Sequence, residues 1–275
     1  MSMSRQRKRA QIAELLLACC EAVYLHEDGP GFTSFCSNRG LQSHVITNKN
    51  ARAAVFSNDD CIIGCMAGTN DVSDWKNNLS FKMRSYVGAG MVSSGFGAYF
   101  GLIRKQLINA LQGEFSKNPR PIYICGHSLG GVCTYYLALA CQNAGVLVDL
   151  AVVAGAPRPG DKTFSEYFSE RFGGRFIQIR NKADIVPCVP PYIAGYRHPL
   201  VGLAVINLAG NISRKMHPVL QQAQRIFRIV SGHVSLSGIR IGKAISIADH
   251  SISEYRSAVG KSLDSLKSKA TDWAG

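Results

Sequence analysis

Ser128 lies in Gly126-His127-Ser128-Leu129-Gly130-Gly131, between an apolar β-branched run and a helix-forming run. A serine hydroxyl becomes a useful nucleophile only when a base takes its proton and donors receive the negative charge its attack creates. Gly-x-Ser-x-Gly supplies the geometric part of that requirement when it joins a strand to a helix. The sharp turn then leaves the hydroxyl exposed at the helix N-terminus, where backbone N–H groups favour developing negative charge. The flanking residues fit. Pro121-Ile122-Tyr123-Ile124-Cys125 reads as a buried strand. Val132 to Cys141 has no Gly or Pro and carries Leu137, Ala138, Leu139 and Ala140. The pentapeptide alone would equally describe a glycine-rich turn with a capping serine, so its weight comes from this context.

A base and an orienting carboxylate must follow, and on a strand–elbow–helix scaffold the chain order is Ser, then Asp or Glu, then His. Asp184 stands in Asn181-Lys182-Ala183-Asp184-Ile185-Val186-Pro187, just past a strand expected at 175–180, with Asp161 in reserve. Four histidines come later: His198, His217, His233 and His250. His250, in Ala248-Asp249-His250-Ser251 after Ile245-Ser246-Ile247, is the chosen base, although these residues alone leave the others open. One oxyanion donor is the N–H of Leu129, the residue after the nucleophile. The second belongs to a loop after an earlier strand. Ala67-Gly68-Thr69-Asn70 fits, with Gly68 allowing close approach and Thr69 adding a hydroxyl.

These residues need elements to hold them. Ile12, Leu15, Leu16, Cys19 and Val23 predict an amphipathic helix near 10–25. Ala53–Phe56 and Cys61–Met66 flank the turn residues 57–60 as a hairpin, and a helix pattern runs from Phe96 to Leu111. After the elbow come strands at 146–153 and 175–180. The alternation implies an α/β fold with a mostly parallel central sheet and helices on both faces, its chemistry beyond the carboxyl ends of the strands. The 275 residues contain no linker or repeat and are expected to form a single domain, 1–275, with an insert between Asp184 and His250.

Composition narrows the partners. Lys and Arg number 31 against 18 Asp and Glu, a net charge of +13 that points to an anionic partner. Part of it sits in Arg5-Gln6-Arg7-Lys8-Arg9. No nucleic-acid module is present, so no nucleic-acid partner is expected. Nine cysteines is an odd count, and Cys61 and Cys65 would lie about 13 Å apart on one strand face, too far to bridge. No Cys/His spacing resembles a zinc site, so neither metal nor cofactor is expected. Reduced thiols point to a cytoplasmic location, or to export without a cleavable signal peptide: Glu14 and Glu21 interrupt the apolar run after the basic N-terminus. No run is long enough for a transmembrane helix.

Several blocks, in order, resemble the class 3 lipases, the fungal-type triacylglycerol lipases and their plant and bacterial relatives. They are Gly68-Thr69 with Asp74-Trp75, Val92-Ser93-Ser94-Gly95-Phe96, Gly126–Gly131, Ala154–Asp161, Asp184–Pro191, and Asp249-His250 with Tyr255. The resemblance implies the α/β-hydrolase fold, with Ser128, Asp184 and His250 as triad and Thr69 and Leu129 as oxyanion hole. It also implies a lid after the oxyanion residue, where Val72, Trp75 and Leu79 fall on one helical face. Ser93 replaces the family histidine, Asp161 replaces its asparagine, and the stretch between Asp184 and His250 does not align. The expected function is that of a serine hydrolase cleaving carboxylic ester bonds of lipids, either tri- or diacylglycerol or phospholipid, through an acyl-enzyme intermediate. The expected partners are a lipid-like ester and the surface of an anionic membrane, with the oligomeric state open. An esterase for small soluble or plant-derived esters, or a catalytically silent lipid-binding protein, is the alternative. The apolar stretch 200–209 would line an acyl channel, touch membrane or bury against the sheet. Val259, Leu263, Leu266 and Trp273 give the tail an apolar helical face.

Overall fold

The computed structural model describes residues 3–69, 80–86, 88–182, 184–206, 212–213 and 250–271. Its centre is strand β6 (Ile122–His127), whose residues from Ile124 to His127 are all buried. Side chains that alternate along a strand reach opposite faces. Accordingly Ile122 and Ile124 enter one apolar core while Cys125 enters another.

The other strands flank it in an eight-stranded sheet of order β1-β2-β3-β6-β7-β8-β9-β10. β1 (Gln42–Asn48), β2 (Ala51–Ser57) and β3 (Ile62–Met66) form an antiparallel meander. The β2–β3 turn is held by the Asn58 carboxamide, which accepts from Asp60 N at 3.0 Å and Cys61 N at 3.1 Å. From β3 onward β6, β7 (Leu150–Ala154), β8 (Phe176–Asn181) and β9 (Gly202–Ile206) run parallel. The short β10 (Ile212–Ser213) returns antiparallel, and β4 (Met83–Ser85) pairs separately with β5 (Met91–Ser93).

Helices cover both faces. α1 (Met3–Ala22), α2 (Pro30–Ser37) and α6 (Ile252–Thr271) lie on one, and α3 (Ser94–Lys117), α4 (Leu129–Asn143) and α5 (Lys162–Phe172) on the other. Every side chain of α4 from Leu129 to Cys141 is buried, as a helix enclosed on all sides requires. Arg256 ties α6 to α1 through Glu14 at 3.3 Å and Glu21 at 2.5 Å.

The structure corrects several expectations. The strand placed at 146–153 begins at Leu150: Leu147 is exposed, and Asp149 spends its carboxylate on Ile122 N at 2.9 Å. Of the face expected on α1, Leu16 and Cys19 are fully buried, as is Val23 just past the helix end, while Ile12 and Leu15 stay half-buried. Within 200–209, residues 202–206 are sheet strand β9. Leu200, which is exposed, precedes its amino end, opposite the strand ends from which Ser128 and Asp184 follow. Val259 is buried in the α1-side core, whereas the Leu263 and Leu266 side chains and Trp273 lie outside the described residues. All nine cysteines are described and none is disulfide-bonded; eight are buried and Cys188 is half-buried. No helix among the described residues is long and apolar enough to cross a membrane.

Candidate active site

Strand β6 delivers Ser128 directly onto the start of α4 with φ 58° and ψ −127°. A positive φ is uncommon for any residue with a Cβ and persists only where its surroundings enforce it. Here the enforcement is visible on both sides. Ser128 N donates to Ala154 O of β7 at 3.0 Å, and Val132 N reaches Ser128 O at 3.3 Å to open the helix. Gly130 sits so close to β3 that a Cβ there would strike the Met66 carbonyl. The Leu129 N–H is the first of α4 and has no intrahelical acceptor, since the first N–H groups of a helix never do.

The loop after β3 lies against this elbow. A side-chain carbon on Gly68 would come within 3.0 Å of Ser128 Cβ. Two tyrosines fix the loop from below. Tyr99 Oη donates to Ala67 O at 3.3 Å, and Tyr24, just past the end of α1, accepts from Gly68 N at 2.8 Å. Thr69 follows at the half-buried end of the same loop.

Asp184 and His250 arrive from β8 and from the approach to α6. His250 Nδ1 donates to Asp184 Oδ2 at 2.7 Å. The same oxygen accepts from Tyr255 Oη at 2.6 Å, and Oδ1 accepts from Val186 N at 2.8 Å, so both carboxylate oxygens are engaged. Tyr255 sits one turn inside α6 and accepts from Asn181 N at 3.1 Å, which joins the helix to the end of β8. Gly155, at φ 58°, lies beneath the pair, where any Cβ would approach both His250 and Asp184 to about 3.1 Å. Buried Arg158 holds the loop after Asp184 by donating to the Cys188 and Pro190 carbonyls.

His127 completes the arrangement. Its Nε2 is 2.7 Å from the backbone oxygen of His250, and a carbonyl can only accept, so Nε2 carries the proton. Its Nδ1 then accepts from Tyr24 Oη at 3.2 Å. One chain of hydrogen bonds therefore runs from Gly68 N–H through Tyr24 and His127 to the backbone of His250. Burial first, and then the adjacent His250, push the His127 imidazole down to about 3, so it stays neutral. Among the described residues, two buried polar atoms at this centre make no hydrogen bond, Ser128 Oγ and His250 Nε2.

Of the residues expected from sequence, the structure brings together Ser128, Leu129, Asp184 and His250, with Thr69 on the neighbouring loop. Val72, Trp75 and Leu79 lie outside the described residues, as do His217 and His233. Asp161, the reserve acid, is the N-cap of α5 instead, accepting from Phe164 N at 2.8 Å and Met91 N at 3.1 Å. Ser93 caps α3 in the same way, through Phe96 N at 3.3 Å. His198 braces Gln178 and Pro187 O at 2.9 and 2.7 Å. Sequence reasoning gave no role to His127 or Tyr24. His127 adjoins the serine and was open to notice; Tyr24 carried no local signal.

Residues 65–194 match the family model described as Lipase (class 3). Over these residues, just under half of its length, the chain is similar to that family. Among similar proteins, the lipase of Rhizomucor miehei is 28% identical over 57% of this chain and 45% of its own length. The secreted mono- and diacylglycerol lipase 1 of Fusarium solani is 27% identical over 56% and 47%. The chain thus spans just under half the length of these two lipases. A solved triacylglycerol lipase described as having a serine-protease triad superposes with a TM-score of 0.67 at 21% identity, covering 90% of this chain and 93% of that one. The fold is shared with these lipases: a mostly parallel sheet of the α/β-hydrolase type with helices on both faces.

Proposed function

We propose that the chain is a serine hydrolase acting on carboxylic esters of lipids. Ser128 Oγ attacks the acyl carbonyl as its proton passes to His250 Nε2, and His250 returns that proton to the leaving alcohol. Water, activated by the same imidazole, then hydrolyses the acyl-serine. Asp184 orients His250 and faces the imidazolium as it forms, while Tyr255 and Val186 N–H hold Asp184 in place. The N–H groups at Leu129 and on the Thr69 loop receive the oxyanion. The observation that carries this reading is the pair of unbonded atoms: His250 is fixed by its Nδ1, and its Nε2 and the Ser128 hydroxyl are left for each other and for substrate.

A lipid substrate is supported by the similarity to class 3 lipases and by a surface feature. Ile193 is 92% exposed beside the partly exposed Tyr192, whose ring the Arg197 guanidinium covers at 3.1 Å. The segment adjoins residues 81–83: Tyr196 Oη donates to Phe81 O at 2.6 Å. Apolar tips beside a cation suit an anionic lipid surface, as does the net charge of +13. Ser128 is only 1% exposed, so a substrate must displace what covers it. The Val72, Trp75 and Leu79 face, next in sequence after the Thr69 loop, is the lid in this reading. For location the proposal keeps both cytoplasmic residence, which nine unbridged cysteines suit, and export, which the secreted lipases it resembles suit.

The test compares long-chain glycerolipid in anionic and zwitterionic vesicles with a short soluble p-nitrophenyl ester. Ser128→Ala and His250→Ala should each abolish both activities with the fold intact. Wild type should favour anionic vesicles, less so at high salt, and Ile193→Ser should lower vesicle hydrolysis alone. Turnover by His250→Ala, or equal rates on both vesicle types, would overturn the corresponding part.

A further inference from the structure

The core layer beneath α1 holds six buried cysteines: Cys19, Cys20, Cys36, Cys61, Cys65 and Cys125. Three of them converge. Cys65 of β3 and Cys125 of β6 are aligned partners across the parallel strand pair, and Cys20 descends from α1 onto them. Their three sulfur atoms lie within 4.8 Å of one another, all fully buried. Among the described residues no fourth His, Cys, Asp or Glu joins the group.

Three thiolates bound about 2.3 Å from a central ion in their own plane stand about 4.0 Å apart. The sulfurs here need to contract by under about 1 Å to reach that arrangement, a shift available to side-chain rotation about Cα–Cβ. The donor set also selects the ion. Structural zinc takes four ligands, and this group offers three. Thiolate sulfur is a soft donor that favours soft cations such as Cu(I).

We infer that Cys20, Cys65 and Cys125 form a three-coordinate thiolate site for a soft monovalent cation of the Cu(I) type. The ion enters already reduced, so no electron is transferred, and each thiol that becomes a ligand releases one proton. Occupancy would tie α1 to two central strands. It would also brace the next turn of the chain, since Tyr24 lies four residues beyond Cys20 and holds Gly68 N–H and His127.

Because the sulfurs are enclosed, the test loads the full chain by refolding it anaerobically with Cu(I). A chromophoric Cu(I) chelator is then added, and retained metal is counted by native mass spectrometry. The readouts are retention and melting temperature, neither of which depends on ester hydrolysis. Wild type should keep one Cu(I) per chain against the chelator and melt several degrees higher than the metal-free protein. Cys20→Ala and Cys65→Ala should lose that retention. Cys133→Ala, whose thiol lies in the opposite core, should keep it. Loss of all metal to the chelator by wild type would overturn the assignment. So would equal retention by folded Cys20→Ala, or retention of Zn(II) in place of Cu(I).

Discussion

Lowering the pH from 7.5 to 5 should weaken the folded state through one identifiable side chain, His127. Its imidazole is enclosed by Tyr24, Tyr255 and His250, with burial and then the electrostatic influence of the adjacent His250 holding it down at about 3. In the unfolded chain a histidine titrates near 6.5. Between those values the unfolded chain binds a proton that the folded chain refuses, so stability rises with pH across this window. The contribution is complete above about 6.5 and is lost as pH falls toward 3. Each pH unit below 6.5 costs about 1.4 kcal/mol, which amounts to about 2 kcal/mol at pH 5. His127→Gln is the informative variant: its amide nitrogen can still donate to the His250 carbonyl, and it does not titrate. Urea unfolding at pH 7.5, 6 and 5 should show wild type losing about 2 kcal/mol more than the variant, with unchanged slopes. Parallel stability curves for the two proteins would refute the argument that His127 is held neutral.

Tyr24→Phe removes the acceptor for Gly68 N–H; an unsatisfied buried donor costs about 1–3 kcal/mol, so kcat on a soluble ester should fall about tenfold or more with KM little changed. A lower melting temperature with unaltered kcat would make Tyr24 a packing residue only. Asp184→Asn should cost about four orders of magnitude in kcat by losing imidazole orientation, and Tyr255→Phe much less, since His250 and Val186 N–H still engage the carboxylate. A thiol reagent should titrate about one cysteine in the native protein, the half-buried Cys188, and nine after denaturation. A native count of four or more would contradict the packing of the thiols in the two cores.

What could be read in the sequence was local. The elbow is contained in six consecutive residues with a strand before and a helix after, so periodicity and glycine spacing sufficed. Asp184 could be proposed because it follows a strand end, and chain order together with the lipase-like block around Asp249-His250 pointed to His250; the structure sets the two side chains 2.7 Å apart. Other features depend on contacts that no window spans. Tyr24 reaches 44 residues to Gly68 and 103 to His127. Cys20, Cys65 and Cys125 are separated by 45 and 60 positions and meet only because α1 crosses β3 and β6. Helix α5 was missed although Phe164, Phe168 and Phe172 recur every four residues, because polar residues between them hide a narrow stripe. Leu147 misled in the opposite sense, extending an apolar run past the true edge of the sheet.

The hydrogen bond from His127 to the backbone of His250 bears on how much the chain can vary. In the proposed mechanism the base is thus clamped by the residue that immediately precedes the nucleophile, so the spacing of His250 and Ser128 is fixed at the elbow rather than by the polypeptide joining Asp184 to His250. That connection spans 66 positions and need only bring its two ends home. Closing a loop twice as long costs only about 0.6 kcal/mol more. Insertions and deletions between Asp184 and His250 can therefore accumulate, and with them new surface chemistry, while the catalytic spacing is inherited unchanged.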